Sequence, residues 1–293
     1  MENNILEKLQ EEISCSDYNE STKKDLYEKI LTLKNQKVNL MIAGATGCGK
    51  SSTINALFNL NVAKIGIGTD PETMDIERYD LENLILWDTP GLGDGLKDEQ
   101  HSKNIKIKLE ELDEHGDPLI DLVLVILDGS SRDYGTSFTL INDVIIPSLG
   151  DKPNERILVA INQCDMAMKG RHWNHRTNAP EEILLSFLDE KVTSVKDRIK
   201  ESTDVLVEPI YYSAGFVEEA GDEQKPYNLS KLLYFIVKGT PSNKRLNITQ
   251  NINQNKDNFV SGEKGFLEKV GDAVMDGIAG VAAGIGNFFR SWF

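Results

Sequence analysis

Cysteine is scarce. The chain has three in 293 residues, Cys15, Cys48 and Cys164, an odd number with no paired spacing. That excludes a disulfide framework and favours a reducing compartment. Positive charge is also in short supply: 32 Lys and Arg stand against 47 Asp and Glu, for a net charge of -15. Such a chain has no global field to draw in nucleic acid, so any such contact needs a local basic patch. No uncharged apolar run reaches the roughly 18 residues of a spanning helix. The opening MENNILEKLQEE is acidic and amphipathic and lacks the apolar core of a secretion signal. A cytoplasmic location is expected, with a peripheral membrane contact left open by the far C-terminus alone. The remaining balance, 40% hydrophobic and 27% charged, is that of a folded soluble domain.

Apolar spacing divides the chain into four parts. Residues 1–36 read as an N-terminal helical extension. Ile5, Leu6, Leu9 and Ile13, then Leu26, Tyr27, Ile30, Leu31 and Leu33, recur at helical intervals on either side of a break at Ser14–Asn19. Residues 37–240 alternate strand and helix. The strands are KVNLMIAG (37–44), TMDIERYD (73–80), NLILWD (83–88), DLVLVILD (121–128), RILVAIN (156–162) and VEPIYYSA (207–214). Helices are predicted at 51–60, within 97–116, and near 136–146, 180–200 and 229–239. This is an α/β pattern, a mostly parallel sheet covered on both faces by helices. Residues 241–264 are polar and aperiodic and read as a linker. The segment 265–293 reads as an amphipathic, Gly-rich helix. Its apolar stripe is Phe266, Val270, Val274, Ile278, Val281, Ile285, Phe288 and Phe289, beside the small residues Ala273, Gly277, Gly280 and Gly284.

Three motifs carry chemistry. GATGCGKS, Gly44 to Ser51, lies between a predicted strand and a helix and fits a phosphate-binding loop. Gly44, Gly47 and Gly49 let the backbone wrap an anion, with Thr46, Cys48 and Ser52 in or beside the cradle. Lys50 is placed to reach the β- and γ-phosphates, and the Ser51 hydroxyl to bind Mg²⁺. WDTPG, Trp87 to Gly91, ends the third predicted strand; Asp88 is placed to hold Mg²⁺, and the Gly91 N–H to sense a γ-phosphate. At the end of the fifth strand comes Asn162-Gln163-Cys164-Asp165. A carboxylate there accepts two hydrogen bonds from guanine and finds no such donor pair on adenine. Asn162 is expected to brace this loop, and Tyr212-Ser213-Ala214 to offer backbone N–H to the guanine oxygen.

In this order the motifs resemble those of the translation-factor-related P-loop GTPases, and among them the Era-like bacterial branch. The spelling of the phosphate loop through Asn55-Ala56-Leu57 is also similar to that of septin and chloroplast-import GTPases. The resemblance covers about residues 38–240 and extends to bacterial proteins of the 50S ribosome-binding GTPase domain family. It implies a Ras-like G domain, slow Mg²⁺-dependent hydrolysis of GTP to GDP, and switch behaviour. It also implies a switch threonine over the metal and γ-phosphate; Thr73 is preferred, with Thr69 as the alternative. A GTP-driven scaffold or membrane-associated self-assembly stands as the second reading. Three departures matter. Gln163 replaces the family's Lys, which predicts weaker affinity with guanine preference retained. Leu92 stands where some relatives carry a water-orienting Gln. Gly47 replaces the Asn of potassium-stimulated relatives, so potassium activation is unsupported.

Other segments stay ambiguous. Lys169 to Arg176 is basic and carries Trp173, His172 and His175. It reads as an insertion loop, as a ribosome or RNA contact, or as a contact to the nucleotide; zinc binding by the two His lacks the full ligand spacing. Cys48 and Cys164 beside the nucleotide are candidate sites where thiol modification would block binding. Ser131-Arg132-Asp133 reads as a loop and cap. The C-terminal helix is read as docking on the domain, pairing with a second copy, or meeting a membrane reversibly through 266–293.

Overall fold

The computed structural model describes residues 10–11, 13–58, 75–81, 83–93, 98–217 and 223–277. Six strands form one sheet: β1 (Val38–Gly44), β2 (Glu77–Leu81), β3 (Leu84–Asp88), β4 (Leu122–Asp128), β5 (Ile157–Asn162) and β6 (Ile210–Tyr211), in the order β2-β3-β1-β4-β5-β6. All pairings are parallel except the β2–β3 hairpin, whose register runs from Glu77 opposite Asp88 to Leu81 opposite Leu84.

The continuous apolar runs become central strands because each has two faces to bury. Leu40 and Ile42 of β1, Leu122, Leu124 and Ile126 of β4, and Leu158 and Ala160 of β5 face one core. Met41 and Ala43, Val123, Val125 and Leu127, and Val159 and Ile161 face the other. The edge strand β2, ERYDL, is largely exposed and correspondingly polar.

The first core is covered by α1 (Glu20–Lys34), α2 (Lys50–Leu57), α6 (Leu229–Gly239) and α8 (Phe266–Gly277). The second lies under α3 (Asp98–Glu110), α4 and α5 (Glu182–Thr203). The α4 run comprises Gly135–Thr139, a π-helical stretch Leu140–Ile145, and a last turn Ile146–Ser148. Pro147 has no N–H to give back to the preceding turn, which fits the widened ladder just before it. In α5, Leu184, Leu188, Val195 and Ile199 form the buried stripe.

Two expectations need correction. VEPIYYSA yields only Ile210–Tyr211 in the sheet. Tyr212 N–H still bonds the Ile161 carbonyl at 2.9 Å, but Ser213 turns away to pair with Tyr227. The polar segment 241–264 is not a free linker. It contains α7 (Arg245–Thr249) and buries Leu246, Ile248, Ile252 and Phe259 in the first core. Its asparagines supply the reason: Asn247 Nδ2 bonds the Leu33 carbonyl at 2.8 Å, and Asn253 and Asn258 side chains bond the carbonyls of Asn55 and Ala56 at 3.0 and 3.1 Å. Polar residues here close backbone groups at helix ends and leave the few apolar ones to pack.

At the N-terminus, residues 10–11 and 13–15 are helical, and α1 begins after a break, capped by Asn19, whose side chain accepts the Thr22 N–H at 2.8 Å. The first three turns of the C-terminal stripe dock on the domain: Phe266, Val270, Ala273 and Val274 are buried. Residues 278–293, with the rest of that stripe, lie outside the described residues. Among the described residues no helix is long and apolar enough to cross a membrane.

Candidate functional site

The carboxyl ends of β1, β3 and β5 bring the three motifs to one edge of the sheet. After Gly44 the chain turns through Gly47 (φ +78°) and Gly49 (φ +87°) into α2. Both conformations suit glycine. A Cβ on Gly49 would collide with the Asn162 side chain, so this glycine also permits a close approach from β5.

Lys50 is buried, and its Nζ lies 3.3 Å from the carbonyls of Gly44 and Ala45. The ammonium is therefore held over the loop's concavity by two long bonds. Ser51 Oγ donates to Asp88 Oδ2 at 3.2 Å, joining the first motif to the second. Asp88 is fully buried and its Oδ1 has no partner. Burial raises its carboxyl to about 6, against the lowering influence of Lys50 and the Ser51 bond. Thr89 Oγ1, next along the chain, is also buried without a partner. Gly91 lies on Thr46: a Cβ there would sit 2.5 Å from Thr46 Oγ1 and 2.6 Å from Thr46 Cα. The Thr46 N–H bonds the Leu92 carbonyl at 3.0 Å, so the two loops form one surface. Ser52 follows in the first turn of α2, partly buried. Thr73 and its alternative Thr69 lie outside the described residues.

At the other end, Asn162 Nδ2 donates to the Cys48 carbonyl at 2.9 Å, and its Oδ1 accepts the Ala214 N–H at 3.0 Å. One buried amide thus ties the phosphate loop, β5 and the chain after β6. Gln163, with φ +58°, donates from Nε2 to the Gly47 carbonyl at 2.9 Å. Its amide is thereby tied to the phosphate loop. Asp165 is buried, and its Oδ1 has no partner. The expected N–H donors need correction. Ser213 N–H bonds the Tyr227 carbonyl at 3.0 Å and Ala214 N–H is taken by Asn162, so neither is free for a guanine oxygen in this structure.

Both cysteines of the site, Cys48 and Cys164, are fully buried, and burial pushes each thiol upward, Cys164 well upward. They are packing residues in a high-pKa setting, which corrects their reading as modification sites. Trp173 is likewise buried, edge-on to Tyr227 at 5.2 Å, and unavailable for stacking on a base. Lys169, Arg171, His175 and Arg176 around it are exposed, while His172 Nδ1 is 3.1 Å from Glu181 Oε2. Among the described residues no three His, Cys, Asp or Glu side chains gather as a metal cluster. Ser131 and Asp133 close the turn into α4, Asp133 Oδ1 accepting the Gly135 N–H at 2.8 Å.

The contact between Thr53 and the Tyr212 hydroxyl escaped the sequence reading. Thr53 Oγ1 is 2.7 Å from the Tyr212 hydroxyl and donates to the Gly49 carbonyl at 2.7 Å. The fully buried Tyr212 ring thereby supports the start of α2 from behind. No local signal marks this pair, because its members are 159 positions apart.

Residues 39–163 match the family described as 50S ribosome-binding GTPase. Translocase of chloroplast 132 from Arabidopsis thaliana is 34% identical over 119 residues, covering 38% of this chain and 10% of that protein. The chain thus spans about a tenth of that curated relative's length. Among solved structures, Toc33 from Arabidopsis thaliana in complex with Mg²⁺ and GMPPNP is similar at a TM-score of 0.48 and 15% identity, over 80% of this chain and 96% of that one. Era in complex with MgGDPNP and a segment of 16S ribosomal RNA is similar at 0.45 and 22% identity, over 70% and 58%. The fold is that of a P-loop GTPase G domain.

Proposed function

We propose that this chain is a guanine-nucleotide switch that hydrolyses GTP slowly to GDP and phosphate. The observation carrying this reading is a pair of buried, partnerless carboxylate oxygens, Asp88 Oδ1 and Asp165 Oδ1, at the two ends of one braced cleft. Buried carboxylates without partners are costly, and ligands remove that cost. At the phosphate end the donor set, a serine hydroxyl and a carboxylate, is hard oxygen and suits Mg²⁺. Ser51 and Asp88 would hold the ion, with Thr73 the third candidate, and Mg²⁺ when bound supplies charge neutralisation at the phosphates. At the base end Asp165 accepts from the guanine ring and amino nitrogens, and its burial sharpens rejection of adenine.

The reaction is direct attack of water on the γ-phosphorus. Lys50 leaves its backbone carbonyls for the β- and γ-oxygens and offsets charge growing on the bridge. Gly91, pressed on Thr46, reports loss of the γ-phosphate to the second loop. Leu92 offers no group to orient water, so intrinsic turnover is slow.

Beyond nucleotide, contact with ribosome or RNA is supported by the exposed Lys169, Arg171 and Arg176. Era-like specificity and pairing with a second copy belong to the same proposal, as does a cytoplasmic site of action with reversible membrane contact through 266–293. Burial of Phe266, Val270, Ala273 and Val274 leaves lipid contact to the rest of the apolar stripe, beyond residue 277. Nucleotide-stripped protein titrated with Mg²⁺ and fluorescent GTP, GDP and ATP tests the central reading. Clear preference for both guanine nucleotides over ATP is expected; equal affinity for ATP would overturn it.

A further inference from the structure

The last four carbonyls of α2 are all bonded, and three of them by one distant segment. The Ile54 carbonyl accepts the Phe58 N–H at 2.9 Å, at the helix's own exit. The Asn55 carbonyl accepts Asn253 Nδ2 at 3.0 Å and the Ala56 carbonyl accepts Asn258 Nδ2 at 3.1 Å, across 198 and 202 positions of chain. The Leu57 carbonyl accepts the Asn253 N–H at 2.9 Å, and Phe58 bridges Ile252 in antiparallel fashion. A helix end ordinarily finds such partners in a local cap or in water. Here a strap, residues 250–263, supplies them. Helix α2 has eight residues and a length of about 12 Å, and its other end carries Lys50 and Ser51. The strap therefore holds the phosphate end of the cleft through one short helix.

The same strap is joined to the base end. The Asn228 N–H bonds the Ser261 carbonyl at 2.9 Å, and Asn228 Oδ1 accepts the Glu263 N–H at 2.8 Å. Asn228 is fully buried, and a Cβ on Gly262 would collide with it, so this joint is tight. Lys231 pairs with Glu263, and Lys225 with Asp257 at 3.4 Å. The residue before the joint, Tyr227, exchanges two backbone bonds with Ser213, at 2.9 and 3.0 Å. Next to Ser213, the Ala214 N–H is held by Asn162 at 3.0 Å.

Helix α8 follows the strap directly. Phe266 packs on Tyr234 and Phe235 of α6 at centroid distances of 5.5 and 6.5 Å. The Ala273 carbonyl accepts Arg245 Nη1, from the helix that precedes the strap, at 3.1 Å. The seat of α8 is thus fixed on both sides of the strap. A nucleotide reaching from Lys50 and Asp88 to Asp165 sets the separation of the two cleft ends, which is the span the strap bridges from behind.

We propose that the strap 250–263 is a clasp through which guanine-nucleotide binding and the seating of α8 on α6 stabilise one another. The proposal rests on the reading of the cleft as a guanine-nucleotide site. Linkage makes the effect reciprocal: nucleotide tightens the strap and α8, and loosening the strap weakens nucleotide binding by the same factor.

The test is hydrogen exchange by mass spectrometry on the full chain, with and without Mg²⁺ and GDP, together with GDP titration of the parent and of the Asn253→Ala/Asn258→Ala variant. Peptides covering 250–277 should exchange at least about fivefold slower with GDP, beyond any slowing in α5 on the opposite face of the sheet. In the variant that protection of 266–277 should be lost and GDP affinity should fall at least about fivefold. Both asparagines are partly exposed, so the variant should fold, and unchanged exchange across β4 and β5 in the absence of nucleotide would show that it has. GDP binding that leaves 250–277 unchanged in the parent, or slows them no more than α5, overturns the clasp and leaves the nucleotide reading standing. Unaltered GDP affinity in the folded variant does the same. A folded parent that binds no GDP overturns the nucleotide reading and the clasp with it.

Discussion

The two ends of the nucleotide cleft are built on different terms. At the phosphate end the charged groups are waiting: Lys50 rests on two carbonyls at 3.3 Å, and Asp88 keeps one oxygen unpaired. At the base end most bonds are already made. Asn162 and Gln163 donate to the carbonyls of Cys48 and Gly47 at 2.9 Å each, while Asp165 Oδ1 is buried without a partner. A ligand must complete the first end, whereas it finds the second largely assembled. Preorganisation at the base favours selectivity, and unmet charge at the phosphates couples ligand to stability.

The largest effect should come from breaking selectivity at the buried Asp165 carboxylate. Asp165→Asn should lower the preference for guanine over xanthine nucleotides by on the order of a thousandfold, read from competition binding. An unchanged preference would refute the base-reading assignment.

Asn162→Ala removes the brace that distinguishes the assembled end. It deletes bonds to Cys48 and Ala214 inside the protein, and about 2–3 kcal/mol of unfolding free energy should go with them. Urea denaturation measures this; a loss below about 0.5 kcal/mol would mean the two ends are not held through Asn162.

Asp88→Asn sharpens the contrast from the other side. Folding raises the Asp88 carboxyl to about 6. Between pH 4 and 6 the native, ligand-free protein therefore binds more protons than the unfolded chain. This group makes stability fall as pH rises through that window, and its penalty is complete above about pH 6. The variant should be about 2 kcal/mol more stable at pH 7 than the ligand-free parent, show a flatter profile from pH 4 to 6, and lose the Mg²⁺-dependent gain in nucleotide affinity. Thermal denaturation across pH, with and without Mg²⁺ and GDP, checks all three.

Gln163→Ala is the mildest change. One partly exposed, neutral hydrogen bond to Gly47 is lost, so GDP affinity should fall about three- to fivefold. A loss above about a hundredfold would mean that Gln163 touches the nucleotide itself.

How far each feature could be read from the chain follows from the range of the forces behind it. The central strands β1, β4 and β5 were legible because an apolar run buried on two faces needs no distant information. The phosphate loop was legible because its glycines, lysine and serine act within eight consecutive positions. The segment 241–264 misled because its polarity serves carbonyls of helices elsewhere: Asn247 reaches Leu33, 214 positions away. The bond of Gln163 was not legible for the same reason, its partner Gly47 lying 116 positions back.

The sequence by itself therefore determined the α/β alternation, the phosphate loop, the Asp88 and Asp165 carboxylates and the helices at 20–34 and 266–277. Those depend on local periodicity, on backbone freedom at particular glycines and on the chemistry of single side chains. Only the tertiary structure decided where Gln163 and the 213–214 N–H groups spend their hydrogen bonds, that Tyr212 backs Thr53, and that both cleft cysteines are sealed. Each is a pairing between residues far apart in the chain, and buried polar groups take whichever partner folding brings within reach.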